Sequence, residues 1–268
     1  MIRWIVRRAL PVAVAAVLCS GCSTLPSGKR WGEDATFAPG WRAVGDAASE
    51  SIRDPWVWAP LAGAALFQID HFDRRTSDWA REHTPVFGSQ RTADDWSDRL
   101  VTASVIVDGV TMLATPGGDD PGDWLMSKTK GALVGIAAIG ATALTTAGVK
   151  DAAQRERPNA QDDESMPSGH ASSAAVHTRL TALNLDYVVM DDTARSIAKL
   201  GVGAISVGAG WARVESGWHY PSDVLVGMAI GNFFASFFNH AFLGANASDS
   251  LALSATDGGA MLHWQIAF

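Results

Sequence analysis

The chain has very little cysteine: the only two among its 268 residues, Cys19 and Cys22, both lie in an N-terminal leader. A mature domain without that leader has no disulfide, so packing must supply its stability. The chain also lacks positive net charge, because its formal charge is −7 and its isoelectric point is about 5.4. Such a field repels nucleic-acid backbones and excludes a general nucleic-acid surface. Any phosphate site must therefore be a local basic pocket.

Long hydrophobic runs are also scarce. Only residues 131–149 and 224–243 approach the roughly 20 apolar residues that a transmembrane helix needs. The mean hydropathy of +0.07 is low for a protein with six membrane spans. These observations favour a water-soluble helical bundle held at a membrane by an anchor. An integral membrane protein is the alternative.

Residues 1–22 have the pattern of an export signal, with three arginines in the first eight residues and an apolar stretch after them. The ending Ser20-Gly21-Cys22 resembles a bacterial lipobox, which implies lipidation of Cys22. Ser23 then suits sorting to the outer membrane, on the periplasmic side of the cell envelope. Cys19 stands where the motif usually has Leu, so ordinary signal-peptide cleavage and an uncleaved membrane helix stay open.

Helical periodicity, together with cap and breaker signals, predicts an all-α fold with about six main helices. These helices are expected at residues 55–70, 93–114, 124–155, 168–190, 192–211 and 221–243. A short helix within residues 41–54 and a surface helical turn at residues 72–83 are also expected. The predicted organisation is a leader at 1–22, a tether and short helix at 23–54, a main domain at 55–245 and a C-terminal β-hairpin at 246–268.

The C-terminal segment alternates with period two, since Leu262, Trp264, Ile266 and Phe268 are each separated by one residue. Asp257-Gly258-Gly259 separates two such runs, which indicates a β-hairpin. The terminal Phe resembles a signal for outer-membrane barrels, but one hairpin cannot close a barrel. We therefore expect a hairpin that packs on the helices or lies at the lipid surface.

The first of three chemical clusters contains Lys150, Arg157 and Pro158. The two cations are seven residues apart, which is two helical turns, so both can point the same way if the third predicted helix reaches Arg155. A lysine and an arginine aimed at one spot suit a phosphate. Cations at a helix end also commonly bind the last carbonyls, which is the structural alternative.

The second cluster, Pro167-Ser168-Gly169-His170, opens the fourth predicted helix, where free N–H groups and the helix dipole favour an anion. Ser168 can cap the helix and donate its hydroxyl group, and Gly169 lets the backbone approach an oxyanion closely. His170 would then stand beside that anion. An ordinary N-cap followed by a surface histidine is the alternative.

The third cluster contains Arg213, His219 and Asp223. Tyr220-Pro221 begins the sixth predicted helix, so Asp223 lies in its first turn and can accept the Nδ1 proton of His219. That bond would fix the tautomer and leave Nε2 free as a nucleophile. Asp223 would then orient the histidine and would not act as a base.

In these clusters, with Lys-x6-Arg-Pro and Arg-x5-His-x3-Asp spacings, the chain resembles the type 2 phosphatidic acid phosphatase superfamily. That superfamily includes bacterial class A acid phosphatases and vanadium-dependent haloperoxidases. The resemblance covers about residues 55–243 in helix order and is specific within residues 150–223. It implies a helical bundle of that type and a metal-independent phosphatase for phosphomonoesters or pyrophosphates. The membrane anchor points to lipid substrates.

The resemblance also implies a role for each residue. His219 would attack phosphorus and carry a phosphohistidine, Asp223 would orient it, and His170 would protonate the leaving oxygen and later activate water. The nonbridging oxygens would be held by Lys150, Arg157, Ser168, the Gly169 N–H group and Arg213. No metal or other cofactor is implied, although vanadate could occupy the pocket as a phosphate mimic.

Two departures from the superfamily pattern concern the pocket. Ala212 stands where many members have Ser, so one hydroxyl group is missing. The loop NAQDDESM at residues 159–166 is short and acidic. Its carboxylates are expected to form a solvated turn or, alternatively, to contact a cationic part of a substrate or disfavour highly anionic ones.

Two other functions stay open. A vanadate-dependent haloperoxidase would use the same pocket, with vanadate as its cofactor. A non-catalytic envelope lipoprotein would use the bundle or the hairpin to bind a partner. Trp211 and Trp218 flank the third cluster and are expected to pack in the core, with the wall of a lipid-binding mouth as the alternative.

Overall fold

The computed structural model describes residues 24–244, 249–256 and 259–266. The described chain is all-α apart from two C-terminal strands, which confirms the predicted fold class. Its α-helices are α1 (Trp41–Arg53), α2 (Pro55–Phe67), α3 (Phe72–His83), α4 (Gln90–Ala114), α5 (Pro121–Ala153), α6 (Gly169–Leu185), α7 (Asp192–Glu215) and α8 (Pro221–Phe238). A 3-10 turn, Ile69–His71, precedes α3, and a π-helix, Asn239–Leu243, follows α8.

Side-chain caps determine where helices begin. Asp54 caps α2 ahead of Pro55, as predicted, because its Oδ1 accepts the N–H of Trp56 at 2.9 Å. At the start of α8, Oδ2 of Asp223 accepts the N–H of Tyr220 at 2.9 Å. These local signals explain why the order of the main helices could be predicted.

Two helix ends differ from the prediction in ways that affect the site. α5 ends at Ala153, because Gln154 adopts a left-handed conformation with φ of 42°. Arg157 therefore lies in a loop and not on the helix. α7 runs about one turn further than predicted, to Glu215, and this places Arg213 in its last turn.

Two segments expected at the surface pack against the body. Residues 72–83 form a surface helix, α3, as expected, but it is longer than a turn and has a buried face made of Asp73, Ser77 and Ala80. The segment before α1 is also held in place, since Trp31 is 2% exposed and its ring lies directly over Gly131. A Cβ at that glycine would overlap the ring.

The core lies between α6 and α8, whose backbones approach each other closely. A Cβ at Gly227 of α8 would lie 2.5 Å from the carbonyl oxygen of Ser168, and one at Gly231 would lie 2.3 Å from that of Ser172. α2 and α5 also pack on α8, while α4 and α7 pack on α6. The close contact brings the start of α6 beside the first turns of α8.

The outer faces of several helices are apolar and exposed. The segments Pro121–Ala153 and Pro221–Leu243 are long and apolar enough to cross a membrane, and their most apolar windows are 22% and 56% buried. A group of neighbouring exposed apolar side chains is typical of an interaction site. The large exposed apolar side chains of α4, α5 and α7 are Trp96, Val105, Ile106, Val110, Leu125, Met126, Leu133, Ile136, Leu144, Ile197, Leu200 and Val207.

The C-terminal strands β1 (Asp249–Thr256) and β2 (Gly259–Ile266) pair antiparallel, with Leu253 opposite Leu262. The predicted turn residues 257–258 and the terminal Phe268 lie outside the described residues. A closed hairpin and its packing on the helices or at the lipid surface stay predictions. The leader and its Cys22 also lie outside the described part of the chain.

Replacing Gly227 with Ala should destabilise the protein by about 1–3 kcal/mol, because the new Cβ would force α8 away from α6. Thermal unfolding of the purified protein in detergent would measure the change. Gly148→Ala is the matched control on α5, since a Cβ there would meet nothing within 4 Å. It should be neutral or stabilising by up to about 1 kcal/mol, and equal destabilisation of both variants would contradict the role of the close contact.

Candidate active site

His219 lies in the turn between α7 and α8 and is 2% exposed. Its Nδ1 lies 2.5 Å from the backbone carbonyl oxygen of Ser165. A carbonyl can only accept a hydrogen bond, so Nδ1 carries the proton and Nε2 has the free lone pair. The backbone N–H of His219 donates to the carbonyl of Arg213 at 3.3 Å, which ties the turn to the end of α7.

Asp223 does not make the predicted bond to Nδ1 of His219. Its Oδ2 accepts the hydroxyl of Ser165 at 2.6 Å and the N–H of Tyr220 at 2.9 Å, and its Oδ1 accepts Nη1 of Arg155 at 2.6 Å. The spacing places Asp223 near the histidine, but these donors occupy its carboxylate. Asp223 therefore acts on His219 through Ser165, by holding the residue whose carbonyl fixes the ring.

Arg155, which sequence reasoning missed, holds Asp223 in place. Its Nη2 binds Oδ2 of Asp73 at 2.8 Å, and its guanidinium lies 4.2 Å from the ring centroid of Tyr220. Asp73 also accepts the N–H of Ser222 at 2.9 Å. α3 thus supports the first turn of α8 through a buried carboxylate, which explains why this helix has a buried face.

The acidic loop folds back along the end of α5. The N–H of Ser165 donates to the carbonyl of Arg155 at 2.9 Å, and Arg155 and Glu164 form an isolated β-bridge. Nζ of Lys150 donates to the carbonyl of Glu164. The loop therefore places the carbonyl of Ser165 against His219 and also binds Lys150 through the carbonyl of Glu164.

The three predicted phosphate-binding cations lie close enough to His219 for their charges to act on it. Burial lowers the pKa of His219 well below its usual 6.5, and the positive charges of Arg213, Lys150 and Arg157 lower it further. His219 is therefore neutral near pH 7, as a nitrogen nucleophile must be. Nε of Arg213 is buried and has no hydrogen-bond partner among the described residues, so a phosphate oxygen could accept its proton.

Acidic side chains contact both arginines of this group. Nη1 of Arg213 lies 2.5 Å from Oδ1 of Asp94 on α4, and Nε of Arg157 binds Oδ1 of Asp162. Glu164 adds a longer contact of 3.9 Å to Arg157. Asp162 and Glu164 of the loop thus contact Arg157 and also remain exposed to water, as a solvated turn would be. A bound phosphate would compete with them for the same donors.

The second cluster begins α6 as predicted. Oγ of Ser168 accepts the N–H of Ala171 at 3.4 Å, and the N–H of Ser168 donates to the carbonyl of Asp223 at 3.0 Å. A Cβ at Gly169 would meet nothing within 4 Å, so the space beside this residue is open. The start of α6 therefore has room for the anion that helix N-termini favour.

His170, the next residue of α6, forms a pair with a carboxylate of α4. Its Nε2 lies 2.8 Å from Oδ1 of Asp98, which leaves Nδ1 as the nitrogen that can give a proton to a leaving group. Burial and the charge of Arg213 lower the pKa of His170, while Asp98 and Asp94 raise it. Sequence reasoning missed both aspartates, whose only signal was their i, i+4 spacing on one face of α4.

The structure thus gathers the predicted catalytic and phosphate-binding residues around His219. Ala212, where a serine is common in the superfamily, is fully buried. Within residues 24–244 and the two strands, no three His, Cys, Asp or Glu side chains are grouped as a metal ion would require. That the reaction needs no metal stays a prediction.

Comparison with protein families supports the resemblance drawn from the three clusters. Residues 131–246 match the model of the PAP2 superfamily, and this segment carries all three clusters. Asp94 and Asp98 precede this PAP2 segment, so part of the site lies outside the region that the match covers.

A solved structure with a similar fold is a transmembrane PAP2-type phosphatidylglycerolphosphate phosphatase from Bacillus subtilis. It superposes with a TM-score of 0.52 and 20% sequence identity, covering 69% of this chain and 92% of that chain. At this identity, the likeness shows that the PAP2 fold is shared. No curated protein matches the sequence.

Asp98→Asn should move the alkaline limb of the kcat/KM pH profile for phosphomonoester hydrolysis to lower pH. A proton donor must be protonated, and removing the carboxylate lowers the pKa of His170, so the donor is lost earlier as pH rises. Asp95→Asn is the matched control, because it removes the same charge from an exposed neighbour on α4. Superimposable profiles for wild type and Asp98→Asn would contradict this role.

Proposed function

We propose that this protein is a metal-independent phosphatase that hydrolyses phosphomonoesters or diphosphates of membrane lipids through a phosphohistidine. The observation that carries the proposal is His219: a buried, neutral imidazole with its Nδ1 proton held by the carbonyl of Ser165 and its ring surrounded by three cations. The match of residues 131–246 to the PAP2 superfamily supports the hydrolase class.

In the first step, Nε2 of His219 attacks phosphorus, and a P–N bond forms as the bond to the leaving oxygen breaks. Nδ1 of His170 gives its proton to that oxygen. In the second step, water attacks phosphorus, its proton passes to Nδ1 of His170, and the P–N bond breaks to release phosphate. Lys150, Arg157 and Arg213 stabilise the charge on the nonbridging oxygens in both transition states.

The exposed apolar faces of α4, α5 and α7 support a lipid substrate, because an enzyme in contact with a bilayer meets its lipids directly. The Bacillus subtilis protein of similar fold is a phosphatidylglycerolphosphate phosphatase, so this lipid is one substrate to test. Phosphatidic acid, undecaprenyl pyrophosphate, lipid A and a soluble phosphate ester complete the panel. Assays with and without detergent would rank them.

His219→Ala should abolish phosphate release from the best substrate of this panel, because it removes the nucleophile. Wild type should remain active in a metal chelator. Quenching in alkaline detergent during turnover should trap a labelled phosphohistidine, stable in alkali and lost in acid, that the variant lacks. His83→Ala is the control, since this exposed histidine contacts the carbonyl of Trp79 outside the site.

Three results would contradict the proposal. Full activity in His219→Ala would exclude this histidine as the nucleophile. Bromination by peroxide that requires vanadate, without phosphate release, would identify a haloperoxidase. An intact protein without turnover or trapped phosphohistidine on every substrate would point to a non-catalytic envelope protein.

We also propose that the helical bundle itself enters the bilayer, the alternative that the sequence left open. A water-soluble bundle held only by a lipid at Cys22 would bury the apolar side chains of α5, whereas only 22% of its most apolar window is buried. Location at the outer membrane, on the periplasmic side, stays an expectation from the leader.

A variant with a cleavable signal and Cys22→Ala should remain in the membrane fraction after high-salt and alkaline carbonate washes, because α5 and α8 would hold it there. The wild-type protein, fractionated in parallel, is the control. Release of the variant into the soluble fraction would instead identify the lipid as the sole anchor.

A further inference from the structure

Trp218, the residue before His219, contacts both arginines of the phosphate site. Its ring centroid lies 4.9 Å from Cζ of Arg157 and 5.1 Å from Cζ of Arg213. Both distances are within the range of cation–π attraction, for which the indole ring is the strongest partner. One neutral ring thus attracts two like charges that come from different parts of the chain.

The two arginines need such a partner because they repel each other. Burial lowers the pKa of Arg213, and the charge of Arg157 is among the further causes that lower it. Their side chains are 7% and 9% exposed, so water screens the repulsion only weakly. Without an attractive contact in common, the guanidinium groups would tend to separate while no phosphate is bound.

The carboxylates that neutralise the arginines cannot hold the two guanidinium groups together once substrate binds. Asp162 and Asp94 are anions, and a phosphate competes with them for the same N–H donors. The indole ring is neutral and attracts the guanidinium groups from across its π face, whereas a phosphate binds the arginine N–H donors. Trp218 can therefore keep its contacts with Arg157 and Arg213 in the empty site and in the occupied site.

The backbone fixes the ring in this position. Gly217 adopts φ of 79°, and the N–H of Trp218 donates to the carbonyl of Arg213 at 3.1 Å. A Cβ at Gly217 would lie 2.8 Å from Nε of Arg81, which shows that the Arg81 side chain packs against this turn. The same turn carries the proposed nucleophile, His219, as the next residue.

We propose that Trp218 is a positioning residue that holds Arg157 and Arg213 together for a tetrahedral oxyanion by cation–π contact. This inference rests on the proposed phosphate site but not on turnover. Trp218 acts on binding and leaves the chemistry of His219 unchanged. This role differs from core packing and from the wall of a lipid mouth, the two roles that the sequence suggested.

Binding of inorganic phosphate and of vanadate, measured by calorimetry in a metal chelator, tests the proposal. Trp218→Leu keeps an apolar side chain but removes the aromatic face, and we expect its Kd for phosphate to rise about tenfold. Trp218→Phe keeps a weaker face and should fall between wild type and the leucine variant. In the substrate assay, KM should rise in the same order while kcat changes less than about threefold.

Trp96→Leu is the matched control, because Trp96 makes a cation–π contact with Arg99, 5.5 Å from Cζ to the ring centroid, and Arg99 is not one of the arginines of the phosphate site. Its phosphate affinity should equal that of wild type. Thermal unfolding checks that each variant is folded, and Trp218→Met replaces the leucine variant if that one does not fold.

Phosphate affinity within twofold of wild type in a folded aliphatic variant would overturn the proposal. An equal loss in the phenylalanine and aliphatic variants would also overturn it, since only the size of the indole would then matter. Because binding is measured without turnover, an inactive wild-type protein would refute the proposed function and leave the test of Trp218 intact.

Discussion

The gathering of three positive charges around a buried histidine is the constraint on which the rest of the site depends. Like charges in a buried place raise the free energy of the folded protein unless nearby groups balance them. Asp94, Asp162 and Glu164 provide that balance, and their side chains are 44%, 41% and 62% exposed. Exposed carboxylates can turn into water when a phosphate arrives. When substrate binds, its phosphate thus replaces these carboxylates as the partner of the arginines.

The framework that holds these charges consists of two helices in direct backbone contact. α6 carries Ser168 and His170 at its start, and the first turn of α8 carries Asp223. The absence of side chains at Gly227 and Gly231 lets the two helices approach until the atoms of one backbone lie against the other. His170 and Asp223 are therefore fixed relative to each other by the core itself, and the loop residue Ser165 connects Asp223 to His219.

Sequence reasoning predicted the helices and the chemical clusters because both depend on local signals, such as caps, prolines and short spacings. It missed Arg155 and Asp98, whose partners lie 82 and 72 residues away along the chain. The predicted bond from His219 to Asp223 was wrong for a related reason. Spacing shows which groups are within reach, but it does not reveal a competing acceptor, and the backbone carbonyl of Ser165 has no sequence signature.

That carbonyl also bears on how the protein would respond to acid. A carboxylate that orients a histidine gains a proton as pH falls and then stops accepting a hydrogen bond in the same way, whereas an amide carbonyl does not titrate in that range. Neutral His219 therefore keeps the same tautomer and ring orientation wherever the loop stays folded. Every amino acid has this backbone carbonyl. The group that orients His219 is therefore retained after any replacement of the Ser165 side chain that preserves the path of the loop.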